Sequence, residues 1–94
     1  MYAVAGDGTY VDMREDYELP DFGGVMPCVG DLIVEPGVAG GLDRRDLENR
    51  TVLDVVARYF YPRTDPKDEW GYIGVLVVRE RPAKRHEEEI VTKR

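Results

Sequence analysis

The chain has 94 residues, 43% of them hydrophobic and 34% charged, a composition that predicts one globular domain with a single modest core and excludes a disordered chain. The formal charge is −6; no apolar run approaches the ~20 residues that cross a bilayer, and the N-terminus MYAVAGDGTY lacks a basic region followed by an apolar stretch, so neither a membrane span nor a signal peptide is expected. The single cysteine, Cys28, excludes an internal disulfide, which makes the cytoplasm the expected compartment.

Taken in chain order, residues 1–21 form an acidic N-terminal segment with two short strand candidates, Tyr2–Ala5 and Thr9–Met13. Gly6-Asp7-Gly8 between them is a hairpin turn signal. The text REDYELPD, Arg14 to Asp21, reads either as a solvated loop or as an acidic docking surface. FGGVMP, Phe22 to Pro27, reads as a flexible connection. Gly30-Asp31 turns into a short apolar run, Leu32-Ile33-Val34, bounded by Pro36-Gly37. The glycines of residues 36–49 argue for loop, with one helical turn predicted over Leu42–Glu48 and Asp43 near its start.

TVLDVVARYFY, Thr51 to Tyr61, is the longest run able to form a core element. Its valines and aromatics pack well on a pleated sheet and lose side-chain freedom in a helix, and Pro62 stops it, so a strand is predicted. The downstream run WGYIGVLVV, Trp70 to Val78, predicts an antiparallel partner. Placing Tyr61 opposite Trp70 sets Tyr59 against Tyr72, Ala57 against Gly74, Val55 against Leu76 and Leu53 against Val78, one continuously apolar face. The loop between them, Pro62 to Glu69, has two prolines and no apolar periodicity. Residues 80–94 form a charged tail in which Glu87 to Val91 reads as a short edge strand or a disordered end. The expected fold is therefore one mainly β domain, residues 1–94: a small antiparallel sheet or SH3-like barrel with at most one short helix.

The stretch VGDLIVEPG…GG…RTVLDVV resembles the KOW pattern of small SH3-like barrels. The parts that carry the likeness are Gly30-Asp31, Ile33 and Val34, Gly37 with Gly40-Gly41, then Val52, Val55 and Val56, within Val29–Val56. The resemblance implies an SH3-like barrel and, from the habits of such barrels, a ribosomal or transcription-associated role in RNA or protein binding. The chain departs from the pattern in a longer glycine loop that carries Asp43, Asp46 and Glu48, where a nucleic-acid reader favours bases.

Catalytic chemistry finds little footing. The chain has no serine, and one cysteine with one histidine cannot supply a zinc site. A Cys28–His86 nucleophile pair is disfavoured, because a lone cysteine is more often a small buried filler. Asp7, Asp12, Glu15 and Asp16 do not match the calcium loop, and no phosphate-binding glycine loop is present. No enzyme activity, metal or cofactor is expected.

Charge is uneven along the chain. Residues 1–48 hold eleven acids and three arginines, a net of −8, and residues 49–94 hold ten bases and eight acids, a net of +2. Two interaction surfaces follow. Asp12, Glu15, Asp16 and Glu18 would present negative charge to a basic protein or nucleoprotein, as a nucleic-acid mimic does. Tyr59, Tyr61, Trp70 and Tyr72 with Arg58 and Arg63 would form an aromatic anchor at the hairpin tip, the alternative being that these rings fill the core. Together they predict a non-catalytic inhibitor or adaptor that docks on a basic, nucleic-acid-handling protein, the strategy of small phage-encoded antagonists such as anti-CRISPR proteins. The alternative is direct RNA or DNA binding by the second half, through Arg58, Arg63, Lys67, Arg79, Arg81, Lys84 and Arg85.

Overall fold

The computed structural model describes residues 1–62 and 73–92. Its strands are β1 (Tyr2–Val4), β2 (Tyr10–Asp12), β3 (Leu32–Val34), β4 (Thr51–Tyr61) and β5 (Ile73–Pro82). Single 3-10 turns lie at Leu19–Phe22, Leu47–Asn49 and Arg85–Glu87, and the last runs into a short helix, α1 (Glu88–Val91). The mainly β fold expected from the sequence is the one observed. The five strands form one sheet in the order β2-β1-β5-β4-β3. It is mixed, because β1 lies parallel to β5 while every other neighbouring pair is antiparallel.

The β4–β5 hairpin is the spine, and β4 spans the predicted Thr51–Tyr61. Its register differs from the predicted one. Val55 lies opposite Val78 and Leu53 opposite Glu80, a slide of two residues; Ala57 lies opposite Val77 and Tyr59 opposite Val75, a slide of three. The change between the two halves is a bulge at Val56, where the ladder passes from Val55 to Ala57. A bulge inserts one unpaired residue and so reverses the sequence parity of every side chain beyond it. Leu53 and Val55 are therefore followed on their own face by Arg58 and Phe60, not by Ala57, Tyr59 and Tyr61. Strict alternation could not foresee this.

The first face carries the core cluster of Leu53, Val55, Leu76 and Val78, with Met1, Met13, Phe22, Met26 and Ile33 packed on it. Phe22 and Met26 belong to the segment read as a flexible connection; the structure makes it the cover of this face. Gly74 explains how the cover fits. A Cβ there would lie 2.5 Å from Met26 Cε, so the missing side chain is the slot the methionine fills. The chain enters this cover through Arg14, in the left-handed region at φ 56°, with its amide held by Asp12.

The second face carries Val52 and Val77, both buried, beside Arg79 and Arg81. Its cover is the charged tail. In place of the expected edge strand or disordered end, residues 85–91 coil so that Glu87 and Val91, four positions apart, are both buried. Glu87 takes a bidentate hold on Arg81, with Nη1 to Oε1 at 2.7 Å and Nη2 to Oε2 at 2.8 Å, and also accepts the Lys84 amide. A strand covered on both faces needs apolar residues in sequence rather than in alternation, the reason the buried part of β5 reads Leu76-Val77-Val78. Val77 and Val78, closed to solvent, each contribute about 1.5–3 kcal/mol.

Candidate interaction surface

The outer half of the hairpin stands clear of the sheet. β3 pairs with β4 over Val52 to Asp54, backbone bonds from Gly30 and Asp31 reach Val55, and β1 pairs with β5 only at Val77 and Val78. Among the described strands, Ala57–Tyr61 and Ile73–Leu76 thus pair with each other alone. Because successive side chains alternate, the run Tyr59-Phe60-Tyr61 bears rings on both sides, and the bulge decides which side each takes. Tyr59 and Phe60 are each 53% exposed and Tyr61 is 72% exposed. The reading in which the rings fill the core is corrected for Tyr59 and Tyr61, which both stay exposed on the side of the ribbon opposite Met26.

Tyr59 leans on Tyr10 of β2, with hydroxyls 3.3 Å apart and ring centroids at 6.4 Å; this hydrogen bond raises the Tyr10 phenol above its ordinary value. On the opposite side the Arg58 guanidinium sits 5.0 Å from the centroid of the Phe60 ring, a cation–π contact. Its Nη1 also donates to Cys28 Sγ at 3.3 Å. Cys28 is exposed, not a buried filler. The turn at Gly30, φ 95°, and the Asp31 carboxylate that accepts the Cys28 amide carry it outward. Arg63, Trp70 and Tyr72 lie outside the described residues.

The acidic residues divide differently from the sequence reading. Asp12, Asp16 and Glu18 are exposed, whereas Glu15 is half-buried. Asp12 lies on β2 with its carboxylate bonded to the Arg14 amide, and Asp16 faces the amino group of Met1 at 3.6 Å. The aspartates repeat one local task. Asp7, Asp12, Asp43 and Asp46 each accept the amide two residues on, and Asp21 and Asp31 each accept one three residues back. Long connections need side-chain acceptors for backbone N–H groups. In a chain without serine, aspartate supplies them, and negative charge comes with the turns. The helical turn expected over Leu42–Glu48 falls instead at Leu47–Asn49, capped by Asp46 rather than Asp43.

Glu15 belongs with a group the sequence did not indicate. Burial, then the adjacent Glu15 carboxylate and more weakly Glu80, hold the Glu35 carboxyl above its ordinary range. Burial likewise raises the Tyr17 phenol, with Glu35 and Glu15 adding to it. These residues come from three separate segments, so no local spacing announces them. Among the described residues no group of histidines, cysteines or acids is arranged to hold a metal ion, and no helix is long and apolar enough to cross a membrane.

The cations are dispersed. Arg81 is committed to Glu87, and their bond holds the Glu87 carboxyl at about 2. Arg50 is buried. What the site offers chemically is contact area: a ribbon of exposed rings beside loops whose carboxylates lack cationic partners among the described residues, Asp16 and Glu87 excepted. Comparison with protein-family models, curated proteins and solved structures found no match to the chain.

Proposed function

We propose that the protein is a non-catalytic binding module, an acidic inhibitor or adaptor of the cytoplasm that docks on a basic, nucleic-acid-handling protein in the manner of small phage-encoded antagonists such as anti-CRISPR proteins. The observation that carries this reading is the exposure of Tyr59 and Tyr61 on a ribbon projecting from the sheet. Exposed aromatic clusters flanked by arginine are the usual anchors of protein interfaces. The acidic loops add long-range attraction toward a basic groove and discourage nucleic acid itself. The β3–β4 pair, entered through Gly30, is compatible with a KOW-like element, and such elements often bind proteins as well as RNA.

Direct nucleic-acid binding is the second reading, supported by the Arg58–Phe60 stack, on which a base would find both a ring and a cation. The commitment of Arg81 and the burial of Arg50 weaken it. One experiment separates the two. The protein is titrated at low salt against labelled duplex DNA and single-stranded RNA by anisotropy, and in parallel used as bait with a Tyr59→Ala/Tyr61→Ala control. The proposal expects no nucleic-acid binding and a salt-labile protein partner that the control fails to retain. Nucleic-acid binding that fades with salt, or a partner held equally by the control, would overturn it.

A further inference from the structure

The groove beside the edge strand β3 contains a positive charge without a counterpart. Arg50 is 3% exposed; its Nη2 donates to the Glu35 carbonyl at 3.1 Å, while Nε and Nη1 are buried with no acceptor among the described residues. The Glu35 carboxyl does not serve it, being drawn into the group with Glu15 and Glu80. The two ion pairs of the described residues both lie elsewhere. A guanidinium removed from water with no carboxylate is costly, and an anion arriving there would recover that cost.

Arg50 forms part of the wall of a cavity of about 1030 Å³. Arg44 lines the same cavity, with its Nη2 on the Pro36 carbonyl at 3.1 Å, and Leu32, Val34 and Ile90 give it an apolar side. We propose that this groove binds a short aliphatic carboxylic acid, its carboxylate held by Arg50 and Arg44 and its stem against Leu32, Val34 and Ile90. The unsatisfied nitrogens are closed to solvent in this conformation, so entry requires the wall to open; the four-residue α1 contributes Ile90 and Val91 to that wall. A monoanion fits better than a phosphate, because Asp16, Asp21 and Asp31 also line the cavity and oppose a second negative charge.

The test follows the Arg50 Nε–H resonance and the melting temperature of the full chain during additions of sodium propionate, inorganic phosphate and sodium chloride at matched ionic strength. Propionate is expected to move the resonance and raise the melting temperature saturably, and chloride to do neither. Arg44→Ala, at an exposed position, should weaken propionate binding several-fold. Arg50→Lys, which keeps the charge but loses the planar fork, should weaken it by about tenfold or more. Identical responses to propionate and chloride, unchanged affinity in both variants, or tighter binding of phosphate than of propionate would overturn the assignment.

Discussion

The two halves of the β4–β5 hairpin share a ladder and similar apolar content, and they do opposite things. From Thr51 to Val55 the strand is flanked by β3, covered on one face by Phe22 and Met26 and on the other by the Glu87–Val91 turn, and its valines and leucine are buried. From Arg58 to Tyr61 it has, among the described strands, β5 alone beside it, and every residue is exposed. The bulge at Val56 marks the change. Apolar side chains therefore do not specify a core by themselves: an aromatic residue becomes core or surface according to what distant segments lie over it.

The sharpest contrast comes from one truncation on each side of the bulge. Leu53→Ala should cost about 3 kcal/mol in chemical denaturation, while Tyr59→Ala should stay within about 0.5 kcal/mol and act on binding alone. Comparable losses at the two positions would erase the distinction between halves. Removing the cover of the second face is the next test. Glu87 is depressed to about 2 from an ordinary 4.5 by its Arg81 bond, so its stabilisation is complete above pH 4.5 and is lost as the pH falls through about 2. Glu87→Gln should accordingly destabilise the protein at neutral pH, with the deficit against the unmodified chain closing near pH 2.

Gly74 lies in the outer ribbon opposite Phe60, where Met26 of the first-face cover reaches it. Gly74→Ala would push Met26 aside and should cost about 1 kcal/mol, a small overpacking penalty because the displaced atom is the end of a flexible side chain. A neutral effect would mean that the cover does not press on the ribbon. A smaller effect of opposite sign is expected at Glu35. Its carboxyl is raised above the ordinary 4.5, so the favourable contribution of its protonated form is complete below pH 4.5 and disappears as the pH rises through the raised value. Glu35→Gln should then raise the melting temperature at neutral pH and leave it unchanged in acid.

Much of this architecture was legible in the residues. The span of β4, the β1–β2 hairpin about Asp7-Gly8 and the mainly β class follow from composition, turn chemistry and period-two patterning, all of which act within a few residues. The candidate surface was half legible. Arg58, Tyr59 and Tyr61 could be singled out as aromatic and cationic, but not as exposed. The aspartates could be counted, but their work on nearby amides depends on turn conformations that charge alone does not reveal.

What only the tertiary structure decided has one physical origin. The register of β5, the parallel placement of β1, the bulge at Val56, the covers over both faces and the meeting of Glu15, Glu35 and Glu80 are all settled by contacts between segments remote in sequence. Local periodicity fixes which side a residue takes within an unbroken strand. It carries no information about where a strand breaks step, or about which distant loop closes over it.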